Sequence, residues 1–303
     1  VAKYIIKRVL FAILTIFIVS LITFFVMNLV PGGPFNKEKA VSQAVLDELN
    51  ARYNLDKPVG VQYLLYMKNI LHGDWGVSLK TTREIWPDIS SRFAVSAKLG
   101  ISAIVIALIC GVILGSIAAL TRNHWPDRLI VFLTTLGTAM PSFVLATLLL
   151  LAFCLKLQWF PVWSAEHPNY FLPVLSLAVY PMAYITRLTK TSMLDALSQD
   201  YVRTARAKGV PQKKVIFVHA LRNALIPVVT YLGPEIAYII TGSMVVENIF
   251  TIGGLGGAFV SSITNRDYTM IMAVTLFLAI LMVIANLLTD IAYKLIDPRI
   301  TFE

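Results

Sequence analysis

Charge is scarce in this chain. Of its 303 residues only 14% are Asp, Glu, Lys or Arg, against about 25% in an average soluble domain. The apolar class reaches 57% and mean hydropathy is strongly positive. So little charge cannot cover the surface of an ordinary soluble enzyme. It also excludes a disordered chain and a disulfide-dense secreted scaffold. Only two cysteines occur, Cys110 and Cys154, both inside apolar runs, where they read as small buried hydrophobes. No Gly-Lys dipeptide exists, so a Walker-type phosphate loop is absent. The four histidines, His72, His124, His167 and His219, fall outside the apolar runs, so neither a metal centre nor a histidine-assisted nucleophile is expected within a membrane. The apolar runs carry few ionisable groups, which argues against a proton- or sodium-driven carrier. The remaining expectation is a pore without its own engine: not an enzyme, with no cofactor in this chain.

What is present is a series of long apolar stretches. Six are predicted as spans: Val9–Val30, Leu99–Leu120, Leu129–Leu155, Phe171–Thr186, Leu225–Val246 and Thr269–Tyr293. The first follows Lys3, Lys7 and Arg8 and could be taken for a signal peptide. Its 22 residues reach about 33 Å, longer than a signal core, and it is read as an uncleaved span. The fourth is short and carries Pro173 and Pro181. The fold class is therefore all-α integral membrane, with six transmembrane helices. Three regions are expected: 1–30, an N-terminus and first span; 31–98, a folded outer segment; and 99–303, a core of five spans with an inner loop at about 187–224.

The balance of 26 basic against 17 acidic residues is unevenly placed. With both termini inside, the inner segments hold fifteen basic residues, and the two short outer loops hold only Lys156 and Arg266. The long outer segment carries nine basic and seven acidic residues, but segments of that length cross largely regardless of charge. Both termini are predicted to be cytoplasmic. In the outer segment Val41, Val45, Leu49 and Tyr53 recur every four residues, predicting an amphipathic helix. A second helix is expected at Val61–Leu71, ending before Gly73. The segment is either a small cap on the membrane surface or a docking platform for an external partner.

Within the second span Ala103, Ala107, Gly111, Gly115 and Ala119 make one face small, predicting close approach of another helix. In the third, Gly137 and Pro141 predict a mid-membrane kink. Glu235, after Gly233-Pro234, is a carboxylate within the fifth span. It either lines a route and meets a cationic group of the substrate, or is neutralised within the bundle. Glu235, Pro141 and Tyr184 are the candidate pathway residues. Asn286 and Asp290, near the end of the last span, read as interfacial or helix-bonding groups.

The inner stretch Thr186–Asn223 is basic and helical in pattern. Ser192 can cap a helix, and Leu194, Leu197, Tyr201 and Ala205 recur on one apolar face. Arg206 and Lys208 suit a last turn, Gly209 a left-handed stop, and Pro211 blocks continuation. A second helix is predicted from Gln212 to a break at Pro227. Such an elbow can lie on anionic lipid or insert into a groove of a soluble partner.

The run Asp200-Tyr-Val-Arg-Thr-Ala-Arg-Ala-Lys-Gly209, followed by His219-Ala-Leu-Arg-Asn-Ala-Leu-Ile-Pro227, resembles the coupling loop of bacterial ABC importer permeases. Pro31–Phe35, Tyr53–Pro58, His72–Gly76, Thr241–Phe250, Asn265–Tyr268 and Asp297–Arg299 extend the likeness over nearly the whole chain. Together they resemble the dipeptide, oligopeptide and nickel branch, most closely the first transmembrane subunit of oligopeptide permeases. The resemblance implies a second homologous permease, two cytosolic ATPases that carry ATP and Mg, an external substrate-binding protein, and a peptide as substrate, all at a bacterial cytoplasmic membrane. It assigns ATPase coupling to Tyr201, Arg203, Ala205, Arg206, Lys208, Gly209 and Pro211. Other readings are import of dipeptides, nickel complexes or another small solute, or a self-sufficient channel or ion-driven carrier. Two departures stand out. Arg203-Thr204-Ala205 replaces the general E-A-A ahead of Gly209. Gly253-Gly-Leu-Gly256 lacks the proline usual after Ile-Phe, which is expected to loosen the outer turn after span five.

Overall fold

A computed structural model describes residues 2–30, 54–241 and 243–296. The predicted helix on Val41–Tyr53, the Pro31–Phe35 run and Asp297–Arg299 lie outside the described residues. Among these the chain is all-α. The helices are α1 (Ala2–Leu29), α2 (Val59–Leu71), α3 (Ile85–Leu120), α4 (Trp125–Ala139), α5 (Ser142–Leu149), α6 (Phe171–Ser198), α7 (Asp200–Ala207), α8 (Gln212–Lys214), α9 (Leu221–Ala224), α10 (Ile226–Ile240), α11 (Met244–Ile249), α12 (Leu255–Asn265) and α13 (Tyr268–Ile296). Two π-helical stretches, Leu150–Lys156 and Val215–Ala220, continue α5 and α8. Five helical stretches are long and apolar enough to cross a bilayer, or six if the bent pair Trp125–Ala139 and Ser142–Lys156 is one span.

The centre of the bundle is α3 against α6. In lipid there is no hydrophobic drive between helices, so association depends on close backbone approach and dispersion. The small face of α3 supplies that approach. A Cβ added at Gly111 would stand 2.7 Å from Ile185 Cγ2, and one at Gly115 2.5 Å from the Thr186 carbonyl oxygen. Ala103, Ala107 and Ala119 are buried on the same face. One turn outward, Gly100 meets the backbone of Ile239 on α10 in the same way, at 2.7 Å.

The kink expected at Pro141 is present, with α4 and α5 meeting at 101°, while several boundaries differ from the sequence expectation. Pro141 lacks an N–H and holds the preceding Met140 extended (φ −90, ψ 118), so the helix ends and restarts. The fourth span does not stop at Thr186. Despite Pro181 in its interior, α6 continues to Ser198, so Ser192 is a mid-helix residue and caps nothing. The connection to the fifth span therefore starts at Gln199 rather than about 187. The fifth apolar stretch runs Ile226–Ile249, close to the expected Leu225–Val246, but it is divided: α10 ends at Ile240, and α11 and α12 complete the return to α13.

The described residues between α1 and α3, from 54 onward, pack on the core. Phe24 and Met27 of α1, Tyr63 of α2, Leu79, and Tyr268 and Met272 of α13 form one cluster. Ser20 and Tyr63 share a hydrogen bond of 2.7 Å. Gly73 and Gly76, both with positive φ, turn the chain after α2. Asp267, at the α12–α13 corner, accepts from the Ser78 hydroxyl and, at 3.1 Å, from the Leu79 N–H. The Thr269 hydroxyl donates to the Val77 carbonyl at 2.8 Å. The Asp267 carboxylate and the Thr269 hydroxyl together clamp the loop 77–79 to the start of the last helix.

Candidate functional site

The elbow that follows α6 is built by three local breaks. Gln199 is extended (φ −73, ψ 153) and its carbonyl accepts from the N–H groups of Val202 and Arg203, opening α7. Asp200 in the first turn and Arg206 in the last both complement the helix dipole. At the far end Gly209 takes φ +74, and the Val210 N–H returns to the Ala205 carbonyl at 3.1 Å. This is a left-handed helix stop of the kind glycine permits without a Cβ penalty. Pro211 precedes α8, and its carbonyl accepts from the Val215 N–H.

The break at Gln199 changes the register of the buried face. Val202 and Ala205, with Val215 from the returning limb of the elbow, form its core, with Leu197 and Val210 packed around them. Tyr201, expected on the apolar face, is turned outward, and Ala205 is turned in. Arg203, Arg206, Lys208, Gly209 and Pro211 are exposed. Arg203 reaches Asp200 at 3.4 Å on the open surface, a pair that contributes little. The returning limb is fastened to the bundle: Ala220 and Ala224 pack with Met193 and Ala196 of α6 and Ala119 at the end of α3. Lys190 of α6 forms an ion pair with Asp127 of α4 at 2.5 Å, and Asp127 also accepts from the Asn123 N–H. The elbow with its exposed basic face thus packs against α3 and α6 near the end of α3, and α6 is tied in turn to α4 by the Lys190–Asp127 pair.

A cavity of about 800 Å³ lies among α4, α5, α6, α10 and α11. Pro141 and Glu235 both line it, together with Tyr180, Pro181 and Tyr238. The α4–α5 bend is what makes room here, because a straight third span would carry Met140 and Pro141 past the cavity. Tyr184 does not line the cavity. It stacks on Tyr231 of α10, ring centroids 4.3 Å apart, and joins α6 to α10 beside it. Asn286 is exposed on α13, and the Asp290 side chain lies outside the described residues.

The sequence reading missed Glu247. It is wholly buried, yet charged in type, and it organises the turn between α11 and α12. Ser96 Oγ of α3 donates to its Oε1 at 2.8 Å, and the Gly256 and Gly257 N–H groups donate to Oε2 at 2.8 and 3.2 Å. The Ser96 oxygen in turn accepts from the Leu255 N–H. A Cβ at Gly254 would stand 2.5 Å from Glu247 Oε2, and one at Gly256 2.7 Å from the Met244 Cα. The glycine-rich turn is therefore tightly packed, contrary to the looseness expected from its missing proline. The available signal was an acidic residue in an apolar stretch, followed by glycines whose bare N–H groups can close on it.

Two family models match the chain. One, described as "Binding-protein-dependent transport system inner membrane component", covers residues 111–302; its N-terminal counterpart, a binding-protein-dependent transport system membrane component, covers 1–100. The chain is 47% identical to a dipeptide transport system permease protein of Bacillus subtilis, over 99% of this chain and 98% of that one. It is 42% identical to an oligopeptide transport system permease protein of Haemophilus influenzae and 41% to that of Escherichia coli, over 99% of each chain. A crystal structure of an amino acid ABC transporter with histidines shares the fold at a TM-score of 0.55 and 15% identity, covering 69% of this chain and 94% of the other.

Proposed function

This chain belongs to the family of binding-protein-dependent transport system inner membrane components, and from that premise we propose that it is the peptide-conducting permease subunit of an ATP-driven importer. It is a multi-pass membrane protein. In our reading both termini are cytoplasmic, supported by the fifteen basic residues that this orientation keeps inside. It pairs with a second, homologous permease. Two cytosolic ATPases bind ATP and Mg, and an external binding protein delivers the peptide.

The observation that carries this reading is the elbow. Its outer face presents Tyr201, Arg203, Arg206, Lys208, Gly209 and Pro211, while its inner face is cored by Val202, Ala205 and Val215. An exposed convex element on a rigid mount suits insertion into a cleft of an ATPase. Closure of the two ATPases would then push the elbow, and its mount would carry the motion to α4, α6 and the cavity between them. The mechanism needs no phosphate site in this chain, since motion is all that has to cross the interface.

Reconstitution of the assembled importer tests it. In Gly209→Arg a bulky cation replaces the left-handed stop, and peptide-stimulated ATP hydrolysis and uptake should both fall to background. Full retention of both would remove coupling from this elbow. Oligopeptides are the proposed cargo. A preference for dipeptides is favoured instead by the 47% identical relative, and uptake measured against peptide length separates the two.

A further inference from the structure

Glu235 stands on the cavity wall without a countercharge. Neither Lys, Arg nor His lines that cavity among the described residues, and no second acidic residue does. Tyr231, one turn earlier on α10, brings its hydroxyl beside the carboxylate as a neutral hydrogen-bonding neighbour but supplies no positive charge. A lone carboxylate at membrane depth is costly to keep unless it faces water or a cation.

Two neutral aromatic side chains line the cavity with it. Tyr238 follows three residues later on α10 and Tyr180 comes from α6. Both line the cavity and both are strongly exposed, at 70% and 47%. An aromatic ring presents a negative face, which attracts an ammonium group. Leu177 and Pro181 also line the wall, and Pro181 has no N–H to donate to the Leu177 carbonyl. A carboxylate, two ring faces and backbone or hydroxyl oxygens make a surface that discriminates in favour of a cation.

We propose that Glu235, flanked by Tyr180 and Tyr238, is a transit subsite for the α-ammonium group of the passing peptide. The cation must be one that every cargo carries, since a site for a basic side chain would restrict import to peptides containing lysine or arginine. The free amino terminus meets that condition, and the wide, partly solvated cavity keeps the contact weak enough to release. This inference rests on the peptide-import reading above.

The test is uptake by the assembled importer in proteoliposomes. One neutral-side-chain peptide is supplied with a free or an N-acetylated amino terminus. Each is delivered as a purified, pre-loaded complex with the external binding protein, so capture does not limit. The intact importer should move the free-amine peptide about tenfold faster, the size of one charge-assisted contact. Glu235→Gln should erase most of that difference by slowing the free-amine peptide, with the acetylated peptide unchanged, and Glu235→Asp should restore part of it. An undiminished preference in Glu235→Gln overturns the subsite. So does loss of both peptides together, which marks Glu235 as structural, and so does a preference that follows an added lysine in an acetylated peptide. Failure of the intact importer to take up any peptide with ATP would instead remove the peptide-import reading itself.

Discussion

Ser96 and Glu247, 151 residues apart in the chain, are joined by a 2.8 Å hydrogen bond inside the bundle. The serine oxygen also accepts from the Leu255 N–H, so one hydroxyl links α3, α11 and α12. Ser243, Met244 and Val245, at the start of α11, line the cavity. The carboxylate thereby positions one wall of the cavity relative to the central helix pair.

Glu247→Ala should destabilise the protein substantially. It strands the Ser96 hydroxyl and two glycine N–H groups in a buried site, at about 1–3 kcal/mol for each group left unsatisfied. Glu247→Gln keeps one acceptor and should lose less. Thermal unfolding of the detergent-solubilised protein measures both; equal melting temperatures for Glu247→Ala and the parent would show that the network holds nothing.

Enlarging the small face of α3 should damage the α3–α6 contact in proportion to what the new atoms strike. Gly115→Val drives carbon into the Thr186 carbonyl and the Thr189 side chain, and about 1–3 kcal/mol of overpacking cost is expected. A Val at Gly60 has open space around it and serves as the control. The two are compared by thermal unfolding and by the yield of monodisperse protein.

The Lys190–Asp127 pair offers a double-mutant test. Asp127 is 7% exposed at its side chain and Lys190 21%. Lys190→Met alone removes the ion-pair partner of a mostly buried carboxylate, which keeps the Asn123 N–H and the nearby Arg122, and should cost about 1–3 kcal/mol. The double variant Lys190→Met with Asp127→Leu replaces the pair with apolar contact and should recover most of that loss. If the pair also transmits motion from the elbow to α4, the double variant will be stable but poorly coupled. The readout for that is the ratio of peptide uptake to ATP hydrolysis in the assembled importer.

Much of the molecule follows from composition and periodicity alone. Scarce charge and long apolar runs dictate a helical membrane protein, because only a helix satisfies its own backbone in lipid. The small residues at 103, 107, 111, 115 and 119 mark a contact face, since atoms that are absent admit a neighbour whoever it is. Gly209 and Pro211 mark the elbow because their backbone restrictions are intrinsic. Where periodicity had to be carried across a break, it failed: the apolar register from Leu197 to Tyr201 slipped at Gln199, which no side chain announces.

Only the tertiary structure decided which polar groups meet. That Glu247 finds Ser96, that Asp267 clamps the loop at Ser78, and that Lys190 pairs with Asp127 are long-range pairings, set by how helices cross rather than by local spacing. It also decided that a proline expected to kink a span bends it through 101° and opens a cavity beside Glu235. Local chemistry states where a chain turns or buries a face, but the partner across the gap belongs to a distant residue and is chosen by the packing of the whole bundle.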